Sequence, residues 1–370
     1  MKTIIVGGGV MGLCTAWALA RSGHDVELFE QGPLPNPAAS SMDEHRLIRH
    51  PYGDHTGYAS MIDGAFAAWE ALWRDLGQRF YAATGTLVLA GKGADWAQRS
   101  AAGLASIGRS MAELALDELP RRFPMLNTAD VEHAFWIDSG GVLFAQDIVA
   151  GLARNLAKRP TVRIHDFTRV RAVDLERARL TTDAGAVHEG DIVVVAAGAW
   201  VGRLLPALGR RLVPSRQVVI YFRLPEKARA AWSKGPMILE KTGDMGLYLV
   251  PPAEGRGMKI GDHEFSRRGD PEAGREATAD EVQPLLARCR SLLVGFDQWR
   301  IDRMKACFYT VTDDERFAVE KHGAKGWVMS PCSGHGFKFG ALMGLELART
   351  IASERDPLQH ARWAAGLGGA

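Results

Sequence analysis

Long apolar runs, a dominant charge and paired cysteines are all missing from this chain, and each absence narrows what it can be. No stretch approaches the roughly 20 apolar residues that span a bilayer, so a membrane-embedded protein is not expected. Lys and Arg number 45 against 43 Asp and Glu, so no overall field draws the chain to nucleic acid or to an anionic membrane surface. The cysteines, Cys14, Cys289, Cys307 and Cys332, show neither metal-ligand spacing nor a secreted disulfide pattern. That points to no metal and to a reducing cytoplasm. No internal repeat or low-complexity segment is visible, which sets aside repeat architectures. Met1-Lys2-Thr3 leads straight into Ile4-Ile5-Val6, an expected strand, and leaves no room for a signal peptide.

What is present suits a soluble globular protein of two domains. The chain has 370 residues, 46% hydrophobic and 24% charged, enough for two cores. It opens as strand Thr3–Val6, a glycine turn, helix Val10–Arg21 and strand Asp25–Phe29, followed by a polar loop from Gln31 to His45. Apolar residues at helical spacing, among them Trp69 and Trp73, predict a helix over Gly57–Leu76 and mark both tryptophans as core. Strands are expected at Thr86–Ala90, Val142–Ala145, Val162–Ile164, Val170–Leu175, Ala178–Thr182 and Ile192–Ala196. A helix Asp147–Lys158 is expected with Asp147 as its N-cap. Beyond Arg211 the pattern shifts to strands Val218–Phe222, Leu247–Val250 and Met258–Gly261 with a helix near Glu281–Leu293. Strand Trp327–Ser330 then runs through the loop Ser333–Gly336 into a last helix, Phe337–Ser353. Alternating αβ units at both ends around β-rich material predict a nucleotide-binding domain in discontinuous segments with a second domain inserted.

Gly7, Gly9 and Gly12 form G-x-G-x-x-G between a strand and a helix, and Glu30 ends the next strand 18 positions after Gly12. Gly7 suits the tight turn, Gly9 a close approach of backbone to pyrophosphate, and Gly12 close helix–strand packing. The helix start, with Val10 and Met11, offers free N–H groups to phosphate. An acid at Glu30 suits a ribose hydroxyl and disfavours NADP. The motif alone leaves FAD and NAD both open.

Three further segments carry a resemblance: R-L-I-R-H at Arg46–His50, R-M-K-A-C-F-Y-T-V-T-D-D-E-R-F at Arg303–Phe317, and S-G-H-G-F-K-F at Ser333–Phe339. With Ala196-Ala197-Gly198-Ala199-Trp200, and in this order along nearly the whole chain, they resemble the monomeric sarcosine oxidase and N-methyl amino acid oxidase family. The resemblance implies a mixed α/β and α+β fold: a Rossmann-like FAD-binding domain (residues 1–82, 144–212 and 314–370) and an antiparallel-sheet substrate domain (83–143 and 213–313). It implies FAD joined covalently through Cys307, with Arg46 against the flavin. Arg49 and Lys338 match residues that hold a substrate carboxylate, and Tyr309 one that lines the substrate pocket. Lys259 matches a lysine credited with oxygen activation, and His263 an active-site histidine. Ala197, Gly198 and Trp200 match a flavin-contacting strand end and Val170 an adenine contact. Gln31, Ser40, Gly334, His335, Gly336 and Phe337 complete the expected cofactor contacts. The chain departs from the family at Met42, His45 and Leu249, with Tyr248 beside the last. These departures argue for a secondary amine other than sarcosine.

Residue types carry part of this independently. Arg49 is either structural or, inside R-L-I-R-H, a carboxylate ligand. A lysine in the first turn of a helix, as Lys338 is expected to be, opposes the helix dipole and makes sense facing an anion. The loop Ser333–Gly336 offers N–H groups to negative charge on the flavin. Lys259 points either into a cleft or outward from an alternating strand. Cys307 is either inert or made more thiolate-like by Arg303 and Lys305, whereas Cys14, Cys289 and Cys332 are packing residues. His263 is equally a pocket acid–base group or a structural histidine. The expected activity is oxidation of a small secondary amine or N-methyl amino acid, with oxygen returning the flavin to its oxidised form and hydrogen peroxide released. A dehydrogenase passing electrons to a carrier and a catalytically silent flavin sensor are the competing readings. A monomer is expected.

Overall fold

Ile4, Ile5 and Val6 leave the first strand no polar face, and it lies in the middle of a sheet. In the computed structural model, which describes residues 1–242 and 246–368, strand Lys2–Val6 pairs in parallel with Asp25–Phe29 on one side and Ile192–Val195 on the other. Val162–His165 extends the sheet on one flank, and Gly326–Ser330 and Ala318–His322 on the other. Only the last strand is antiparallel to its neighbour. Helix Val10–Arg21 covers one face and packs against helix Gly340–Ile351. Such a parallel sheet needs both faces covered, which its apolar strands satisfy.

A second sheet of eight strands runs Arg300–Val311, Val213–Arg223, Met258–Asp262, Leu247–Val250, Met237–Lys241, Thr86–Ala90, His133–Ile137, Ala112–Glu113. Its neighbours are antiparallel except Met237–Lys241 beside Thr86–Ala90. The period of two divides its residues. Leu87, Leu249, Met258 and Ile260 face a core that includes helix Ala279–Leu292. Val88, Tyr248 and Val250 face the core shared with the first sheet. Two small three-stranded sheets complete the fold: Arg46–Ile48, Gly141–Leu143 and Tyr81–Ala83 in one, Val170–Asp174, Arg179–Thr182 and Val187–Glu189 in the other. Among the described residues no helix is long and apolar enough to cross a membrane.

Two local expectations are corrected. The helix expected from Asp147 begins earlier, as Ala145–Ala157, with Phe144 at its cap. Asp147 sits in the first turn and pairs with Arg256, so its charge found a cation where its cap was not needed. The last helix is split: a 3-10 turn Phe337–Phe339 precedes the α-helix Gly340–Ile351.

Candidate active site

A cavity of about 410 Å³ opens where the six-stranded sheet's strand ends meet the eight-stranded sheet. Its phosphate end is built by backbone. Gly7 has φ +111, and a Cβ there would lie 2.4 Å from the Ala196 carbonyl oxygen. A Cβ on Gly12 would lie 1.8 Å from the Gly7 oxygen, so only glycine lets helix and turn meet. Ser41 Oγ accepts from Val10 N at 3.2 Å and no acid sits in the helix's first turn, which leaves the next N–H groups and the positive dipole end for an anion. Gly7, Gly9, Val10, Met11, Glu30, Gln31, Ser40, Val170, Ala197, Gly198 and Trp200 all line this cavity. The features that a bound FAD requires are therefore present together: a long cleft, a helix N-terminus for the pyrophosphate, and an acid at the ribose spacing. Glu30 has a second job. Its carboxylate accepts hydrogen bonds from Gly8 N (2.8 Å), Gly32 N (3.0 Å) and Asn36 Nδ2 (2.8 Å), fixing the loop that roofs the site.

A smaller cavity of about 40 Å³ adjoins it, and Arg46, Tyr309, Gly334 and Phe337 line both. Its remaining wall includes Arg49, Tyr248, Lys259, His263, His335 and Lys338. Sequence separations of more than 200 residues are closed here by the sheets. The charges are unusual. Arg49 is buried, its Nη1 has no hydrogen-bond partner, and its guanidinium lies over the rings of Tyr52 (4.6 Å) and Trp96 (5.7 Å). Lys338 is buried too, and its Nζ donates only to neutral oxygens, Tyr52 Oη at 3.0 Å and His335 O at 3.2 Å. Neither cation has a carboxylate partner among the described residues. Burial pushes the pKa of both downward, and repulsion from Arg49 lowers that of Lys338 further. His263, against Tyr248 at 5.1 Å, is brought down to about 3 by burial and then by Arg49, Lys241 and Lys338. It stands neutral, a hydrogen-bonding imidazole and a weak base.

Lys259 points inward, 2% exposed. Its Nζ donates to Asp43 Oδ2 at 2.6 Å and to His45 O at 3.3 Å. Burial, then the nearby Arg46, lowers its pKa to about 8 against the pull of Asp43.

Several expected contacts fall elsewhere. Leu249 lies on the opposite face of its strand, in the core against the helix, and Tyr248 takes the cavity side. Strand alternation decides this, since the two positions cannot both face in. His45 is fully buried against Tyr221 (5.9 Å), its Nε2 near Gly257 O (3.1 Å), and Met42 offers its carbonyl to Lys305. Neither lines a cavity, so the family departures at Met42, His45 and Leu249 do not reshape the pocket wall directly. His335 joins an aromatic cluster with Phe317 (4.4 Å) and Tyr58 (4.9 Å) and faces the small cavity only. In the loop Ser333–Gly336, Ser333 N and His335 N are engaged by Thr310 O and Cys332 O, leaving fewer N–H groups for negative charge than expected. Burial raises the Cys307 thiol pKa, outweighing Arg46, Lys259 and Lys305, and Arg303 turns away to Glu44. Cys332, read as packing, lines the large cavity, whereas Cys307 lies just behind it beside Tyr309. Asp43, Asn36 and Ser41 were missed. All three sit in the polar loop, where no periodicity singles out a residue.

The match to known proteins agrees with this geometry. A family model described as "FAD dependent oxidoreductase" (DAO) matches residues 2–350. The chain is 28% identical to the monomeric sarcosine oxidase of Bacillus sp. (strain B-0618), covering 95% of this chain and 93% of that one. It is 24% identical to the N-methyl-L-tryptophan oxidase of Yersinia pestis (strain Pestoides F), covering 95% of each. Its fold is similar to that of L-proline dehydrogenase from P. horikoshii, with a TM-score of 0.84 and 18% identity over 99% of this chain and 96% of that one. The strand–glycine turn–helix, the joined cavities and the family match together establish that this chain is a member of the DAO family of FAD-dependent oxidoreductases.

Proposed function

We propose that the chain oxidises a small secondary amine that carries a carboxylate, an N-methyl or cyclic amino acid. One observation carries this reading: Arg49 and Lys338, two buried cations without a carboxylate partner among the described residues, converge on the cavity beside the FAD site. A buried cation left alone costs several kcal/mol, and a substrate carboxylate would offset that cost for both. The space of about 40 Å³ holds roughly three water molecules at ~10–15 Å³ each, which suits a small substrate. The relatives named for sarcosine and N-methyltryptophan support the same class.

A bound FAD would supply the acceptor for a hydride leaving the substrate carbon. The protein's part is geometric and electrostatic. Arg49 and Lys338 fix the carboxylate and so the C–H bond beside it. Tyr248, Tyr309 and neutral His263 bound the amine side. Lys259 and Arg46 supply positive charge where an oxygen molecule would gain an electron. Covalent attachment through Cys307 belongs to this reading, supported by its place beside Tyr309 next to the cavity. So does a two-domain division, with each large sheet as the centre of one domain.

A second reading has its own support. Asp43 lies 2.6 Å from Lys259 and weakens the field that favours oxygen, as suits a dehydrogenase that passes electrons to a carrier. Oxygen uptake and peroxide release on a panel of N-alkyl and cyclic amino acids, each beside its uncharged amine, test both readings. Peroxide from the acids alone supports the proposal. Substrate-driven bleaching without oxygen uptake selects the dehydrogenase, and equal rates on the uncharged amines overturn the carboxylate site. Acid-precipitated protein should stay yellow, and Cys307→Ala should release the colour; release by Cys332→Ala instead would move the attachment.

A further inference from the structure

Lys259 is the most enclosed cation in the molecule, and what keeps it charged comes from the opposite side of the site. Its own strand and that strand's neighbours place uncharged Tyr248 beneath it, with its ring 5.7 Å away, and Cys307 nearby. Arg46 adds repulsion, and Lys305 is a further cation beside Arg46 that Asp43 also attracts. Among the described residues the single anion in the group is Asp43, 2% exposed, bonded to Lys259 at 2.6 Å and paired also with Arg46. Asp43 does not owe its position to Lys259. Residues on either side pin its loop to the eight-stranded sheet: Met42 O accepts from Lys305 and Glu44 pairs with Arg303.

We propose that Asp43 is a positioning residue that holds Lys259 as a cation in the wall of the small cavity. This rests on the reading of Lys259 given above. Without the carboxylate, three cations, Arg46, Lys305 and Lys259, would face one another. A buried cluster of like charge sheds a proton. Arginine holds its proton under all ordinary conditions, and Lys305 is only half-buried. Lys259 is therefore the group that would become neutral. The direction agrees with burial and Arg46 already drawing its pKa to about 8 while Asp43 opposes them.

The test uses the FAD-loaded protein with 13C-labelled lysine, the Lys259 signal assigned by its loss in Lys259→Met. Asp43→Asn, which keeps the side chain's shape, should lower the Lys259 titration midpoint by one pH unit or more, as loss of an adjacent opposite charge does (about 1–3 units). Asp43→Glu should restore much of it. Reoxidation of the reduced enzyme by oxygen should then fall with rising pH from a lower onset in Asp43→Asn, by roughly five-fold at pH 8 for one unit. An unchanged midpoint in Asp43→Asn overturns the inference. If Lys259→Met leaves reoxidation untouched, the oxygen role fails instead, and the titration still decides what Asp43 does.

Discussion

The two adjoining cavities are built from opposite materials. The large one is made of backbone: a glycine turn, a helix start and strand ends, with charged side chains such as Arg203 engaged by protein partners, here Asp270 and Glu272. The small one is made of side chains, with cations left without full compensation. A cofactor held for many turnovers is bound by shape and by dipoles that exist whether or not it is there. A substrate that must come and go is recognised by charges that are costly until it arrives. The first kind of site tolerates no extra atom; the second tolerates no missing charge.

The sharpest break of that comparison is Lys259→Met. Removing a preorganised cation where new negative charge appears should slow reoxidation by about 100- to 1000-fold. Anaerobic reduction by substrate should change far less. Stopped-flow traces of the two half-reactions read both, and a collapse of reduction alone would return Lys259 to substrate binding or structure.

Next in size are Arg49→Met and Lys338→Met. Each loses a charge-assisted hydrogen bond of about 1.5–3 kcal/mol, so the apparent dissociation constant for the amino acid should rise roughly 10- to 150-fold. Affinity for the matching uncharged amine should hold or improve, since a buried cation is gone. Equal losses on both would make these residues structural.

The backbone cavity is probed by Gly12→Ala. The added methyl would meet the Gly7 carbonyl oxygen at 1.8 Å, and overpacking of this kind costs about 1–3 kcal/mol. Weaker FAD retention and a lower midpoint of thermal unfolding are expected, with Arg49 and Lys338 still discriminating charge in whatever fraction stays loaded. A variant that binds FAD as wild type does would show that helix and turn can separate without loss.

The smallest effect is one of pH. His263 has its pKa depressed to about 3 in the fold, below the ordinary value of about 6.5. Between those values the unfolded chain holds a proton that the folded one lacks, so stability falls as pH drops through that window. Its share of the slope is at most about 1.4 kcal/mol per pH unit. His263→Gln should remove that share in denaturant titrations from pH 6 to 4. An unchanged slope would mean the imidazole is protonated in the fold.

The same contrast decides what could be read from the sequence. A glycine turn is a local demand, so Gly7, Gly9, Gly12 and the helix Val10–Arg21 were legible within a few residues of one another. Long strands with an apolar face, such as Leu247–Val250, were legible too. Which residue of such a strand faces the site was not, because Tyr248 and Leu249 differ only by the pleat. The three-residue strand Arg46–Ile48 is too short for any period, and Met237–Lys241 was passed over although it joins the two halves of the eight-stranded sheet. Asp43 was hidden for another reason. A buried acid in a polar loop looks like a solvated one until the sheet bearing Lys259 is placed opposite it. The resemblance, not periodicity, brought Lys259, Lys338 and Cys307 into view, and it did not bring Asp43 with them.

The wall of the large cavity runs from Val6 to Phe337 in the chain, and this has a consequence for biosynthesis. Strand Gly326–Ser330 inserts between Ile192–Val195 and Ala318–His322, so the cavity closes only after the chain has left the ribosome through Phe337. Until then the glycine turn faces a half-built cleft with an open sheet edge. A nascent chain stalled before Gly326 would hold the fingerprint without the full wall of the site.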